Sequence, residues 1–362
     1  MRLTDSQIAR HRLRNQHLVA PAFIDPVDVV RSLGAVQSQD YPNAKWAIAQ
    51  RGDGIRDADV ERAVSTGAIV RTHVLRPTWH FVAPEDVRWM LALTAPRASA
   101  AMASYNRKLA LDAKVFRRSN GAITRALRDG GQLTRIELTR VLHRSGVNVS
   151  TGQRVAHLLM QAELDGVICS GPRRGKQFTY MLLEERVPPA RAWDRDEALV
   201  ELTRRYFTTR GPATLRDFSW WSGLTIGDAK RGVDAAGASL HRELHNERHH
   251  WLAPAAQVSS RPSGTAHLLP NYDEYFIGFR DRGAIGERLR QSLTKPRVDA
   301  LMGHVLLVDG QIVGGWRRTL AKRADIELEV LVPITAAERR RVTAAAERFG
   351  RFLGLPVNVR GT

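Results

Sequence analysis

The spacing of apolar positions is clearest in the middle of the chain. After Thr151 apolar residues recur every three or four positions until Gly166, which predicts an amphipathic helix. Before it, Thr134 and Glu137 stand three residues apart, as the members of a capping box do, and predict the start of another helix. Two short extended runs then flank a basic turn at 171–176. Helix, helix and hairpin in this order predict a winged helix-turn-helix.

The same order of predicted elements recurs on both sides of this module. Downstream, three helical patterns lead into an alternating run that predicts a hairpin, and the four segments are 196–208, 214–221, 225–236 and 239–253. Upstream, helical patterns precede the alternating run "IVRTHVLRPTWHFV" at 69–82, which predicts a two-stranded wing. We therefore expect three tandem winged-helix modules, at 1–115, 116–187 and 190–260.

The pattern changes to that of β-strands from about residue 265. The alternating runs are "AHLLPNYDEYFIGF", "HVLLVDG", "QIVGGWRRTL" and "DIELEVL", and Asp309 and Gly310 between two of them predict a hairpin turn. A helical pattern over 335–350 and a short strand follow. The chain is therefore predicted to have an α+β fold, in which the modules precede a small C-terminal β-barrel or sheet at 261–362.

Composition and charge narrow the class of protein. No apolar tract approaches the length that spans a bilayer, the N-terminal residues lack the apolar core of a signal peptide, and the single cysteine, Cys169, precludes an internal disulfide. These features predict a soluble cytoplasmic protein. The net charge of +18 favours a polyanionic partner, with nucleic acid foremost, although an arginine-rich composition alone could also produce it.

Clustered histidines and adjacent carboxylates are candidate reactive groups. His241, His245, His249 and His250 lie on the third predicted wing, where we expect solvated side chains near phosphate and no bound metal or cofactor. Asp273 and Glu274 could form the acid/base pair of a hydrolase. Neighbours in a predicted strand point to opposite faces, so ion pairs that brace the β-domain against a winged helix are the preferred interpretation.

A different pattern stands in the segment "GAVQSQDYP" at 34–42. Pro42 favours an extended backbone before it, and in an extended backbone Gln37 and Gln39 project from one face while Ser38 points away. Two amides would then converge on one place. The alternative is a pair of ordinary surface glutamines.

Four runs together carry a resemblance to a known family. "VRSLGAVQSQDYPNAKWAIAQR", "RTHVLRPTWHFVAPED", "LLPNYDEYFIGFRDR" and "LLVDGQIVGGWRR" occur in an order, and over a length, similar to those of the AlkZ-like winged-helix DNA glycosylases. The resemblance implies a catalytic Gln-apolar-Gln motif at Gln37 and Gln39, from which Ser38 departs at the middle position. A related branch has Asp as the last residue, so the resemblance favours the branch with two glutamines.

The implied activity is that of a monofunctional glycosylase for bulky N7-alkylated purines, including interstrand crosslinks made by a DNA-alkylating antibiotic. Such a purine is already cationic and leaves without a strong acid, so the two amides need only orient water and stabilise the cationic sugar. The alternative is a non-catalytic winged-helix DNA-binding regulator. Regulators usually dimerise on palindromes, whereas repeats within one chain predict a monomer without an obligate protein partner.

Two basic groups are candidates for contacts with duplex DNA. Arg173, Arg174 and Lys176 lie at the tip of the second predicted wing and are expected to contact phosphates. Lys322 and Arg323 lie at a predicted hairpin turn in the β-domain, from which they could enter a groove beside the lesion. An ordinary solvated turn is the alternative for the second group.

Overall fold

The computed structural model describes residues 3–254, 262–292 and 303–361, and the predicted α+β class is confirmed. The longer helices are α1 (Asp5–Asn15), α2 (Pro26–Leu33), α3 (Tyr41–Ala49), α4 (Asp57–Thr66), α5 (Pro84–Lys108), α6 (Ala113–Leu127), α7 (Arg135–Arg144), α8 (Gly152–Leu164), α10 (Arg195–Arg210), α11 (Leu215–Ser222), α12 (Ile226–Ala236) and α15 (Ala336–Leu353). Short helices are α9 (Leu183–Arg186), α13 (Glu274–Ile277) and α14 (Glu287–Ser292). None of the described helices has both the length and the apolar character to cross a bilayer.

The strands are β1 (Val36–Gln37), β2 (Val70–Val74), β3 (Arg76–Val82), β4 (Leu133–Thr134), β5 (Ile168–Ser170), β6 (Thr179–Leu182), β7 (His241–His245), β8 (Arg248–Leu252), β9 (Ala266–Leu269), β10 (Val305–Val308), β11 (Gln311–Leu320), β12 (Ala324–Val330) and β13 (Val357–Arg360). The chain divides into two compact units. The first takes its described residues from 1–60, 200–221 and 225–362, and the second from 61–199 and 222–224.

A five-stranded sheet, in the order β13-β12-β11-β10-β9, forms the centre of the first unit. Strands β9 to β12 are antiparallel neighbours, and β13 adds in parallel to β12. Asp309 and Gly310 form the predicted turn between β10 and β11, both with positive φ, a conformation that glycine adopts without strain. The turn prediction is confirmed.

Aromatic packing fixes α3 and α15 on this sheet. The ring of Phe349 on α15 lies 5.1 Å from that of Trp46 on α3 and 5.4 Å from that of Trp316 on β11, in edge-to-face arrangements. Both indoles also donate to backbone carbonyls of β9, Trp46 at 2.8 Å and Trp316 at 2.7 Å. Buried aromatic pairs with satisfied N–H groups are strongly stabilising, so they hold α3 against the sheet.

In the second unit β2 and β3 form an antiparallel hairpin, and β4-β6-β5 form a small sheet beside α7 and α8. The predicted capping box is confirmed, since the backbone N–H of Thr134 donates to Glu137 at 2.7 Å and the reciprocal bond is present. Apolar residues of α6, α7 and α8 share one buried core, as the spacing predicted for α8. The predicted 69–82 hairpin is likewise confirmed.

One predicted strand is wrong. The run "AHLLPNYDEYFIGF" forms β9 only as far as Leu269, and Asp273 then caps the short helix α13 by accepting from the backbone N–H of Tyr275 at 2.8 Å. An N-terminal cap of this kind is a frequent role of aspartate, and it competes successfully with the alternation of the sequence.

Candidate functional site

Gln37 and Gln39 lie in the short segment between α2 and α3. Gly34 ends α2 with a positive φ of 77°, and the fully buried Ala35 and Val36 lead into the two-residue strand β1. Asp40 then caps α3 by accepting from the backbone N–H of Asn43 at 3.4 Å, and its other oxygen accepts from the side-chain amide of Asn43 at 2.7 Å. The extended backbone was predicted to reach Pro42, but α3 already begins at Tyr41, because proline is well tolerated in the first turn of a helix.

The two glutamines differ in exposure. Gln37 is only 7% exposed, whereas Gln39 is exposed and lies in a bend after the strand. Strict alternation along one strand therefore does not describe the pair, since the strand ends at Gln37. Ser38, at the middle position of the motif, is completely buried. An apolar residue, which the resemblance implies there, would suit this environment. The catalytic role of the two amides remains a prediction.

The backbone of Gln37 is held by a buried carboxylate. Its N–H donates to Oε1 of Glu274 at 2.9 Å, and Oε2 of the same carboxylate accepts from Arg210 Nη2 at 2.7 Å and from Trp221 Nε1 at 2.9 Å. Glu274, Arg210 and Trp221 are all fully buried. Sequence reasoning did not connect Glu274 with Gln37, because 237 positions separate them.

The neighbouring carboxylate has a different set of partners. Asp273 accepts from both terminal nitrogens of Arg51, at 2.9 and 2.8 Å, and both side chains are fully buried. The predicted ion pairs of Asp273 and Glu274 are thus confirmed, although neither residue lies in a strand. Both carboxylates are fully buried, so neither can reach a substrate.

Lys322 and Arg323 lie where they were predicted, at the turn that joins β11 and β12. Leu320 and Ala324 form the last pair of the hairpin, and both basic side chains are exposed. Arg323 lies 3.1 Å from Asp325, whereas Lys322 has no ion pair or hydrogen bond within the described parts of the chain. The turn therefore presents at least one cation to solvent.

Strand β11, close to this turn, contacts the helix that follows the glutamines. Arg318 on β11 donates to the side-chain oxygen of Asn43, the residue that also bonds Asp40. Burial lowers the pKa of Arg318, and nearby Asp40 acts in the opposite direction. The hydrogen-bonded series Arg318, Asn43 and Asp40 thus connects the hairpin with the residue after Gln39.

Two of the basic residues of the predicted second wing form ion pairs within the protein, which the sequence did not predict. Arg173 lies 3.4 Å from Glu61, and Arg174 lies 2.9 Å from Glu137 and donates to a backbone carbonyl. Lys176 is exposed at the turn between β5 and β6. Two of the three residues predicted to contact DNA therefore already have partners in this structure, although ion pairs that retain contact with solvent are weak and can be exchanged for phosphate.

A basic cavity of about 780 Å³ in the first unit was not predicted. It lies between α11, the start of α12, the β7–β8 hairpin and the loop after α13, and its lining includes Arg216, Arg248, Arg280, Arg282 and Trp251. The sequence signals for it are the run "GFRDRG" at 278–283 and the histidine-rich segment that contains His249. Arginines around an aromatic ring are suited to bind phosphate.

The four clustered histidines do not share one environment. His249 is exposed and lines the basic cavity, and His241 is exposed too. His245 instead lies 2.7 Å from Asp5, and His250 is buried, with desolvation lowering its pKa to about 4. The expectation of four solvated histidines is therefore wrong for His245 and His250, because the hairpin packs its inner face against the unit.

Comparison with known proteins gives consistent matches along the whole chain. The model of the family described as "DNA glycosylase AlkZ-like" matches residues 30–352. The "Interstrand DNA cross-link repair glycosylase" of Streptomyces sahachiroi is 26% identical over 367 residues, which cover 95% of this chain and 94% of that protein. The solved structure of "Streptomyces sahachiroi DNA glycosylase AlkZ" aligns with a TM-score of 0.81 at 22% identity, covering 99% and 100% of the two chains, and therefore has the same fold.

Proposed function

Because this chain belongs to the AlkZ-like family of DNA glycosylases, we propose that it excises bulky N7-alkylated purines from duplex DNA. The enzyme hydrolyses N-glycosyl bonds and its substrate is DNA. The observation that carries the proposal is the segment between α2 and α3, in which Gln37 is buried and its backbone is held by Glu274 while Gln39 faces solvent. A rigid, half-open segment is suited to present amides to a reacting sugar.

Gln37 and Gln39 together orient water and stabilise the cationic sugar in this proposal. An N7-alkylated purine carries a positive charge and departs without strong acid catalysis, so the missing carboxylate at position 39 is no obstacle. A glutamine carbonyl accepts a hydrogen bond from water, and its dipole is favourable beside an oxocarbenium-like centre. The enclosed carboxylates of Asp273 and Glu274 take no direct part.

Interstrand crosslinks are proposed as substrates too. The Streptomyces sahachiroi relative is named as a crosslink repair glycosylase. A crosslinked base is tethered to the opposite strand and cannot be flipped freely into a deep pocket. Gln39 is exposed, and the exposed β11–β12 turn is connected to α3 through Arg318 and Asn43. Both observations support an open site of this kind.

DNA contacts are divided between two surfaces. We place Lys322 and Arg323 beside the lesion, because the hairpin that carries them is connected to α3. Arg173, Arg174 and Lys176 contact phosphates of the duplex and contribute to affinity rather than to the rate of excision. Modules at 1–115, 116–187 and 190–260 are proposed to be winged helices, followed by the β-domain at 261–362, in a protein that acts as a monomer. The helix-helix-hairpin order of α7, α8, β5 and β6 supports that assignment.

The test uses a duplex with N7-methylguanine at one position and a second duplex with an N7 interstrand crosslink. After incubation with enzyme, heating in alkali cleaves the strand at each abasic site, and gel mobility reports separation of the crosslinked strands. We expect both signals. If neither duplex loses its base while the protein still binds DNA, the proposed function is contradicted. Binding to one palindromic sequence alone would instead indicate a regulator.

A further inference from the structure

We propose that Glu274 and Arg210 are positioning residues for base excision, which together fix the backbone that presents Gln37. This inference rests on the proposed function, because it assigns them an effect through Gln37. Neither side chain has access to DNA, since both are fully buried. Their effect must therefore pass through the chain segment that they hold.

The two oxygens of Glu274 have separate tasks. Oε1 accepts the backbone N–H of Gln37 at 2.9 Å. Oε2 accepts Arg210 Nη2 at 2.7 Å and Trp221 Nε1 at 2.9 Å, so that the carboxylate is held in one orientation. Hydrogen bonds to an ionised acceptor are shorter and about twice as strong as neutral ones. The bond from Gln37 is of this kind, and Gln37 is the predicted catalytic residue.

Arg210 holds the preceding residues of the same segment. Its Nη1 donates to the carbonyl oxygen of Leu33 at 2.9 Å, and its Nη2 donates to that of Ala35 at 3.1 Å. Together with the bond from Gln37 to Glu274, the ion pair thereby satisfies one backbone group at each of Leu33, Ala35 and Gln37. A planar guanidinium distributes its donors in fixed directions, which a lysine could not reproduce.

A buried ion pair adds little net stability to a fold, so the distinguishing feature of this pair is its set of hydrogen bonds to the segment 33–37. Removing two charges from water carries a desolvation cost, which the attraction between them often only balances. Apolar side chains in place of the pair would leave the carbonyls of Leu33 and Ala35 and the N–H of Gln37 without these partners, and the segment would lose its fixed geometry. A displacement of about 1 Å can slow a reaction by about 100-fold.

The adjacent pair of Arg51 and Asp273 is a matched control. It is equally buried, and its charges lie 2.8 Å apart. Its other hydrogen bonds connect to Ala47, Gln16 and Tyr275, and so lie outside the segment 33–37. The two pairs share burial and chemistry but differ in whether they contact the backbone of Gln37.

The experiment compares E274Q and R210K with D273N and R51K in the full chain. Thermal unfolding and circular dichroism give the folded fraction, duplex titration gives Kd, and single-turnover excision of N7-methylguanine at saturating enzyme gives the rate per folded molecule. We expect E274Q and R210K to excise at least about tenfold more slowly at unchanged Kd, with the control variants within about threefold of wild type. The Q37A change should cost less in the E274Q background than in wild type, because coupled residues are not additive.

Equal slowing by both pairs, or wild-type rates in folded E274Q and R210K, would overturn the inference. If neither variant folds, W221F can be used instead, because it removes one donor to the same carboxylate oxygen and keeps the ion pair. A slower rate in W221F at constant Kd would then support the inference, and an unchanged rate would count against it. Failure of the proposed function has a separate signature, the absence of base excision by the wild-type protein, whereas a wild-type rate in Q37A would reject the catalytic role of Gln37 on which this inference depends. Slow Q37A with wild-type E274Q rejects only the positioning role.

Discussion

Gln37 is buried, and Gln39, two residues further along the chain, is exposed. This difference in environment suggests that the two amides have unequal roles, one fixed by protein contacts and one able to meet DNA. We expect Q37A and Q39A each to lower single-turnover excision by at least about tenfold with little change in Kd, because dipoles that act in the transition state contribute mainly to rate. The double variant should lose less than the sum of the two. A rate equal to wild type in both single variants would remove the glutamines from the mechanism.

Replacement of Lys322 and Arg323 by alanine should slow excision more than it weakens binding to undamaged duplex. The two residues are exposed at the turn of the β11–β12 hairpin, and contacts formed only at a distorted site affect the damaged complex selectively. Affinity for both duplexes and the single-turnover rate are the measurements. Excision at the wild-type rate under saturating enzyme would mean that the turn is simply solvated.

Replacement of Arg173, Arg174 and Lys176 by alanine should have the opposite signature. Arg173 and Arg174 already have carboxylate partners, so replacing those partners with phosphate gives only a modest gain in affinity. We expect that gain to be equal for damaged and undamaged DNA. The slope of log Kd against log salt should flatten by about one unit for each phosphate that the variant no longer neutralises. A slower excision rate at saturating enzyme would contradict the assignment of these residues as anchors.

The basic cavity is a third candidate surface for DNA contacts, after the β11–β12 turn and the second wing. We expect R216A with R280A to weaken binding of undamaged duplex and to flatten its salt dependence by about one to two units, because both arginines line the cavity. Arg204 is a suitable control, since it is exposed and pairs with Glu201 at 2.8 Å on the same helix. Unchanged affinity in the cavity variant would show that the cavity does not face DNA.

Stability should fall as the pH is lowered from neutral. Burial lowers the pKa of His267 to about 3 and that of His304 to about 4, from an ordinary value of 6.5. A lowered folded pKa means that the neutral form is favoured in the folded state, so the associated stability is present above about pH 6.5 and is lost as the pH falls toward these values. Tm measured from pH 7 to pH 4 should decrease, and H267M should flatten the decrease, whereas H249A, at an exposed position, should not.

Local patterns in the sequence predicted the parts of the fold that depend on neighbours in the chain. The capping box at Thr134, the Asp309–Gly310 turn and the 69–82 hairpin are all set by residues a few positions apart. Asp273 and Glu274 were assigned to a strand, because alternation there masked the capping role of Asp273. No local rule describes how Glu274 reaches Gln37 or how four arginines gather around one cavity, since these depend on tertiary packing.

The distance in sequence between Gln37 and its buried partners has a consequence for the order in which the enzyme becomes active. During synthesis both glutamines emerge from the ribosome long before Arg210 and Glu274, and contacts between distant parts of a chain form late because loop closure must precede them. A nascent chain that has not yet reached residue 274 therefore contains the complete Gln-Ser-Gln motif without the charges that fix its backbone. Activity toward DNA should thus arise only once most of the polypeptide has been made and folded.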